Sequence, residues 1–351
     1  MRAILNGELL SRARASQGVA LRSILFIVLT VFGVLVPTLD AQAQSVTRSF
    51  QISLWEGGGG PWSAGNGDTD IHSFLPRTVQ SSAQLPGRFI VVGWDPTVPL
   101  TDAGIDWSRV VAVEIDEPYA SVDHFLKFPD NSPACQPDPV ALASAIAPID
   151  TMVQQRATEL QALAPKARFW VNFDRVEAHW MAYCSRPNVF NRHYIDVVSA
   201  DWSDDNANNT ISTVRPFYSV VAANRPKPDQ QLALIPGTFY RAGIDSPATQ
   251  ASYLQGYFDY ANSANQNCNL SPGGRGVTGN FDGCPVWMVM GWLSNTFKKD
   301  GTTYVGVLDP GAAVIAADWR SQVGMAVRPD LAHQLKPGEI SRLVFHLLSD
   351  D

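Results

Sequence analysis

A chain of 351 residues with a formal net charge of −7 lacks the basic surplus that nucleic acid or an anionic membrane surface selects. Only 17% of its residues are charged, below the roughly 25% usual for soluble proteins. Its polar surface is therefore carried by Asn, Gln, Ser, Thr, Gly and Pro.

The first segment has the pattern of an export signal. Arg12, Arg14 and Arg22 precede an apolar run over 24–36, and Ala41-Gln42-Ala43 supplies small residues around a cleavage point. The thirteen residues of that run, closed by Pro37, fall short of the ~20 that cross a bilayer. The expectation is a signal peptide over 1–43, cut after Ala43, and a single secreted domain over 44–351, extracellular or periplasmic. That mature chain of 308 residues holds 22 basic and 31 acidic side chains, a net charge of −9. It is long for one β-sandwich and ordinary for an α/β barrel of ~250 residues with insertions. All four cysteines lie in the exported part, where an oxidising compartment favours disulfides. The expected pairs are Cys135 with Cys184 and Cys268 with Cys284.

Short β-rich runs then alternate with helical patterns, the signature of a parallel sheet wrapped by helices. The runs are 50–56, 89–95, 110–116, 168–174, 195–201, 232–239 and 286–293. An eighth is expected at 304–308 or near 343–347, while 57–87 shows no convincing helix. Asp138-Pro139, Ser246-Pro247 and Asp309-Pro310 each place a capping side chain before a proline suited to a first helical turn. The first opens the clearest amphipathic helix, with Leu142, Ile146, Ile149, Val153, Leu160 and Leu163 on one stripe. The predicted class is α/β, a (β/α)8-type barrel with irregular first and last units.

Strand alternation sorts side chains into two sets. Val111, Val113 and Ile115 form a helix-facing set, leaving Ala112, Glu114 and Asp116 for the barrel axis. Phe169, Val171 and Phe173 likewise leave Asn172 and Asp174 inside; Phe50, Ile52 and Leu54 oppose Gln51 and Ser53; Ser199 and Asp201 share one face. Three runs thus finish in Asp116-Glu117, Asp174 and Asp201, at the end where barrel enzymes keep their chemistry. Glu114 reads as a buried structural acid below them, and Trp170 and Trp287 as core. A strand-end Asp also has a purely structural use as a helix cap. Trp55 beside Glu56, Trp94 beside Asp95, Trp202 beside Asp201, and Trp292 put flat rings next to acids. Stacking rings and hydrogen-bonding acids suit a carbohydrate.

Through Val110 to Tyr119 (VVAVEIDEPY), the strand-end acids and Trp292, the sequence resembles the TIM-barrel glycoside hydrolases. Asp116-Glu117-Pro118 is similar to the Asn-Glu-Pro that carries the acid/base in one large clan of that superfamily. The same clan places a nucleophilic Glu after its seventh strand, where 286–294 has no acid. The adjacent Asp-Glu is also similar to the pair in substrate-assisted hexosaminidases, in which Asp orients the acetamido group. The resemblance implies Glu117 as acid; the strand-end positions offer Asp201 or Asp174 as its partner and Asp116 as an orienting group. Trp55, Glu56, Trp94, Asp95, Asn172, Trp202 and Trp292 are the candidates for holding sugar.

The six histidines form no zinc motif, Gly57 to Gly60 lacks the Lys-Ser/Thr of a phosphate loop, and no G-x-S-x-G elbow occurs. No cofactor is expected. Two alternatives stay open: a phosphodiesterase-like barrel whose Asp116, Asp174 and Asp201 hold Mg²⁺ or Ca²⁺, and a carbohydrate-binding barrel without catalysis.

Overall fold

Runs rich in β-branched and aromatic residues become strands because such side chains pack well on a pleated, buried surface. In chain order these are β1 (Gln51–Trp55), β2 (His72–Phe74), β3 (Phe89–Trp94), β4 (Val110–Asp116), β5 (Arg168–Asp174), β6 (Val197–Asp201), β7 (Gln231–Leu234), β8 (Phe239–Arg241), β9 (Val286–Trp292), β10 (Phe297–Lys299) and β11 (Thr302–Gly306). The helices are α1 (Pro139–Leu163), α2 (Arg175–Cys184), α3 (Ile211–Ala223), α4 (Pro247–Ala264) and α5 (Ala313–Val323). The computed structural model describes residues 50–55, 71–74, 87–102, 104–126, 135, 137–201, 210–266, 284–292 and 295–323, all within the unit Thr47–Asp351.

Eight strands make one parallel sheet of order β1-β9-β7-β6-β5-β4-β3-β2. Its two ends meet. Ile71 N–H donates to Ile52 O at 3.4 Å, Ser53 Oγ donates to Ile71 O at 2.8 Å, and Ser73 Oγ donates to Leu54 O. The fold is a (β/α)8-type barrel.

The eighth strand is therefore β2, inside the stretch that showed no convincing helix. Three residues are too few to display a period, so it was not recognisable as a strand. The segment 304–308 overlaps β11, which belongs instead to a separate antiparallel sheet of order β10-β11-β8, and 343–347 lies outside the described residues. The run 232–239 is two strands, split at Pro236, which has no amide to continue a ladder.

The three expected caps all form. Asp138 Oδ1 accepts from Val140 N and Ala141 N, Ser246 Oγ from Thr249 N, and Asp309 Oδ1 from Gly311 N ahead of α5. Leu142, Ile146, Ile149, Val153 and Leu160 of α1 are buried. The Cys135–Cys184 disulfide is present, with Cα atoms 5.3 Å apart; Cys268 lies outside the described residues. No helix among the described residues is long and apolar enough to cross a membrane.

Apolar burial divides into a shell under the helices, containing Phe50, Ile52, Leu54, Val113, Ile115, Phe169, Val171 and Phe173, and a smaller cluster that includes Ile90, Ala112, Trp170, Ala233, Trp287 and Met290. The predicted alternation holds with one exception: Val111 joins the second cluster. The β3–β4 register skips it, pairing Phe89 with Val110 and Ile90 with Ala112. Trp170 and Trp287 meet edge to face at 6.0 Å. Beside them the buried Arg168 guanidinium lies 4.7 Å from the Trp287 ring centroid and donates to Gln231 Oε1. Stacking plus a hydrogen bond compensates this buried cation.

Candidate active site at the carboxyl end of the barrel

Three neighbouring strands deliver the acids. Asp116 is the register partner of Asn172, and Asp174 that of Asp201. A hydrogen-bond chain crosses the same strands: Trp170 Nε1 donates to Ser199 Oγ at 2.7 Å, Ser199 Oγ to Asn172 Oδ1 at 2.7 Å, and Asn172 Nδ2 to Asp116 Oδ1 at 3.0 Å. Asn172 is 3% exposed and its amide is engaged inside the protein. Its place is behind Asp116, orienting that carboxylate.

Glu117 follows the last residue of β4 with φ at 43°, a left-handed conformation that is strained for a residue with a Cβ. Two backbone bonds hold it there: Glu117 N–H donates to Asn172 O at 2.9 Å, and Ala120 N–H donates to Glu117 O at 3.2 Å. Burial, followed by the charges of Asp116, Asp174, Asp201 and Asp123, pushes the Glu117 carboxyl up to about 8. Tyr119, two residues on, packs into the helix-side shell and donates to Asp150 Oδ1 at 2.6 Å.

Below the mouth, Glu114 is 1% exposed and its Oε2 accepts from Gly93 N at 2.5 Å, the buried structural role expected for it. Burial and the charge of Asp116 raise its pKa well above the carboxylate range. Asp174 caps α2, its Oδ1 accepting from Arg175 N at 2.5 Å.

Two acids were missed from the sequence. Asp123 lies on the 3-10 turn Ala120–Phe125 and Glu177 in the first turn of α2. One oxygen from each of Asp123, Asp174 and Glu177 lies within 4.8 Å of the others. This set shares only Asp174 with the Asp116, Asp174 and Asp201 considered for a metal. The signal for Glu177 was present as Asp174-x-x-Glu177, the capping-box spacing that turns the second acid back toward the first. Burial, then the charge and hydrogen bond of Asp174, push Asp123 up to about 7.

Trp55 and Trp292 are register partners on β1 and β9. Both are half-buried against the cluster that contains Trp170 and Met290; β1 and β9 are not direct neighbours of β4, β5 or β6 in the sheet order, yet Trp55 interacts with the Glu114 carboxyl of β4. The Trp292 ring also meets Phe239 at 5.8 Å. The other candidates are placed differently. Trp94 is 4% exposed, lies in the helix-side shell and donates from Nε1 to Val98 O at 2.8 Å. Gly93, at φ 65°, lies within the irregularity of the β3–β4 register between Val91 and Trp94. Asp95 Oδ1 accepts from Thr97 N at 2.9 Å and from Thr97 Oγ1 at 2.7 Å, closing an Asx-type turn. Glu56, Trp202 and the glycine run 57–60 lie outside the described residues.

With β2 counted, Asp116-Glu117-Pro118 follows the fourth barrel strand and β7 is the seventh. After β7 comes Ile235-Pro236-Gly237-Thr238, again without an acid.

No protein family matches the chain, and no curated protein matches it significantly. Among solved structures it is similar to an Ignisphaera aggregans GH53 catalytic domain, with 10% identity over 73% of this chain and 86% of that one, at a TM-score of 0.41. It is also similar to a thermostable mutant of a xylanase (Xyn10A) from Cellvibrio japonicus, with 8% identity over 80% of this chain and 99% of that one, at a TM-score of 0.42. Neither likeness informs the site, whose chemistry follows from its own residues.

Proposed function

We propose that this chain is an exported glycoside hydrolase, cut after Ala43, that cleaves an extracellular poly- or oligosaccharide with carboxylate acid/base chemistry. The observation that carries the reading is Glu117: a strained, half-buried carboxyl at the barrel mouth, holding its proton to about 8. A protonated carboxylic acid at neutral pH is what departure of a sugar oxygen requires.

The partner is taken from the neighbouring strand ends. Adjacent strands lie ~4.8 Å apart, so an acid on β5 suits the ~5 to 5.5 Å separation of retaining enzymes, whereas one on β6 suits the ~6.5 to 9.5 Å of inverting enzymes. Asp174 is engaged in capping α2 and sits in a group with Asp123 and Glu177. Asp201 is therefore the better choice for the base that activates water. Asp116, held by Asn172, would orient the sugar, and the Trp55–Trp292 pair would stack on it.

The test is a polysaccharide panel scored for reducing ends, followed by product analysis by NMR. Glu117→Gln and Asp201→Asn should each lower kcat by about two orders of magnitude or more with the fold intact, and the first product should have inverted configuration. Unchanged turnover in both variants would sink the assignment. Retained configuration would move the partner role to Asp174, and oligosaccharide binding without turnover would favour a non-catalytic barrel.

A further inference from the structure

Asp123, Asp174 and Glu177 come from a 3-10 turn, a strand end and a helix start, and an oxygen of each lies within 4.8 Å of the other two. Glu177 is 0% exposed, and neither of its carboxylate oxygens has a hydrogen-bond partner. Asp123 Oδ1 is likewise buried without one. The capping-box spacing offers Glu177 the backbone amide of Asp174, which favours its ionised form in part, but no hydrogen bond to that amide closes. The charges acting on Glu177 are those of Asp123, Asp174 and Glu117. A buried acid ringed by acids and lacking donors needs a positive charge or a proton to be tolerated.

The geometry points to a divalent-cation site in which Asp123, Asp174 and Glu177 hold Ca²⁺. Hard carboxylate oxygens select a hard cation, and three acids drawn from separate elements suit the flexible coordination of Ca²⁺ better than the near-ideal octahedron that Mg²⁺ demands. Three carboxylates leave coordination positions for water, which Ca²⁺ accepts in flexible numbers. The site ties the 3-10 turn to the start of α2, and it does not depend on the hydrolase reading: a barrel without catalysis would bind the same ion.

Binding is read directly. The full exported chain is stripped with EDTA, moved to chelator-free buffer at pH 7.5, and titrated calorimetrically with CaCl2 and with MgCl2. One Ca²⁺ per chain is expected, bound at least tenfold more tightly than Mg²⁺. Glu177→Gln and Asp123→Asn should each weaken Ca²⁺ at least tenfold, while Asp259→Asn, an exposed acid on α4, should change nothing. In thermal melts 1 mM Ca²⁺ should raise the midpoint of the wild-type chain but not of Glu177→Gln, whose metal-free midpoint reports whether it folds. If that buried variant fails to fold, Asp123→Asn on its half-buried turn decides. Absence of Ca²⁺ binding up to millimolar concentration, or binding that survives substitution, overturns the site; Mg²⁺ held as tightly as Ca²⁺ overturns the choice of ion. Because the readout is binding, a failed glycosidase assay leaves this result standing, and the reverse is also true.

Discussion

The backbone N–H of Glu117 donates to the carbonyl of Asn172 at 2.9 Å, so the end of β4 is fastened to β5 at the residue whose φ is 43°. Holding a Cβ-bearing residue there costs on the order of 1–3 kcal/mol. Glycine removes that strain but adds roughly 0.4–1 kcal/mol of unfolded-chain freedom. Glu117→Gly should therefore melt at or above Glu117→Gln, while both lose activity. A glycine variant that melts clearly below the glutamine variant would show that the strain is not there.

The raised Glu117 pKa sets a sign for pH. The folded chain keeps this proton up to about 8 and the unfolded chain releases it near 4.5, so between these values the folded state binds more protons and stability falls as pH rises. Glu117→Gln cannot ionise. In EDTA-stripped protein its melting temperature should decline less between pH 5 and 8 than that of the wild type; buried Glu114, Glu177 and Asp123 keep some slope in both. On a confirmed substrate, kcat/KM should fall on the alkaline side with a midpoint near 8. An alkaline limb below 6 would exclude Glu117 as the acid.

Asn172 bridges Ser199 and Asp116. Asn172→Ala removes the acceptor of the Ser199 hydroxyl and a donor to the Asp116 carboxylate and should cost about 1–3 kcal/mol in denaturant unfolding. As a positioning residue it should lower kcat about tenfold with little change in KM. A rise in KM alone would instead place the amide on the substrate.

Gly291 faces the shell under α5. A Cβ there would lie 2.4 Å from Thr238 Cγ2, 2.8 Å from Leu54 Cδ2 and 3.0 Å from Trp319 Cη2. Thr238 cannot swing aside without losing its hydrogen bond to Trp292 O at 2.8 Å. Gly291→Ala should destabilise by about 1–3 kcal/mol, and Thr238→Ser, which deletes the methyl and keeps the hydroxyl, should recover part of it. Equal stability of Gly291→Ala and wild type in urea melts would refute this packing.

Whatever depends on neighbours in the chain was legible in the sequence. Alternation placed Asp116, Asp174 and Asp201 at strand ends on one face, because side chains of a strand point to opposite sides in turn. Asp138, Ser246 and Asp309 marked helix starts because a cap reaches only two or three residues onward. Tertiary pairing decided the rest. The three residues of β2 are a strand because β1 and β3 flank them; Trp94 lies under the helices after the irregular register at Gly93. Asp123 and Glu177 join Asp174 because a 3-10 turn and a helix start converge on one strand end. The proton on Glu117 has the same origin, since burial and the charges of Asp174 and Asp201 exist only once β4, β5 and β6 lie side by side.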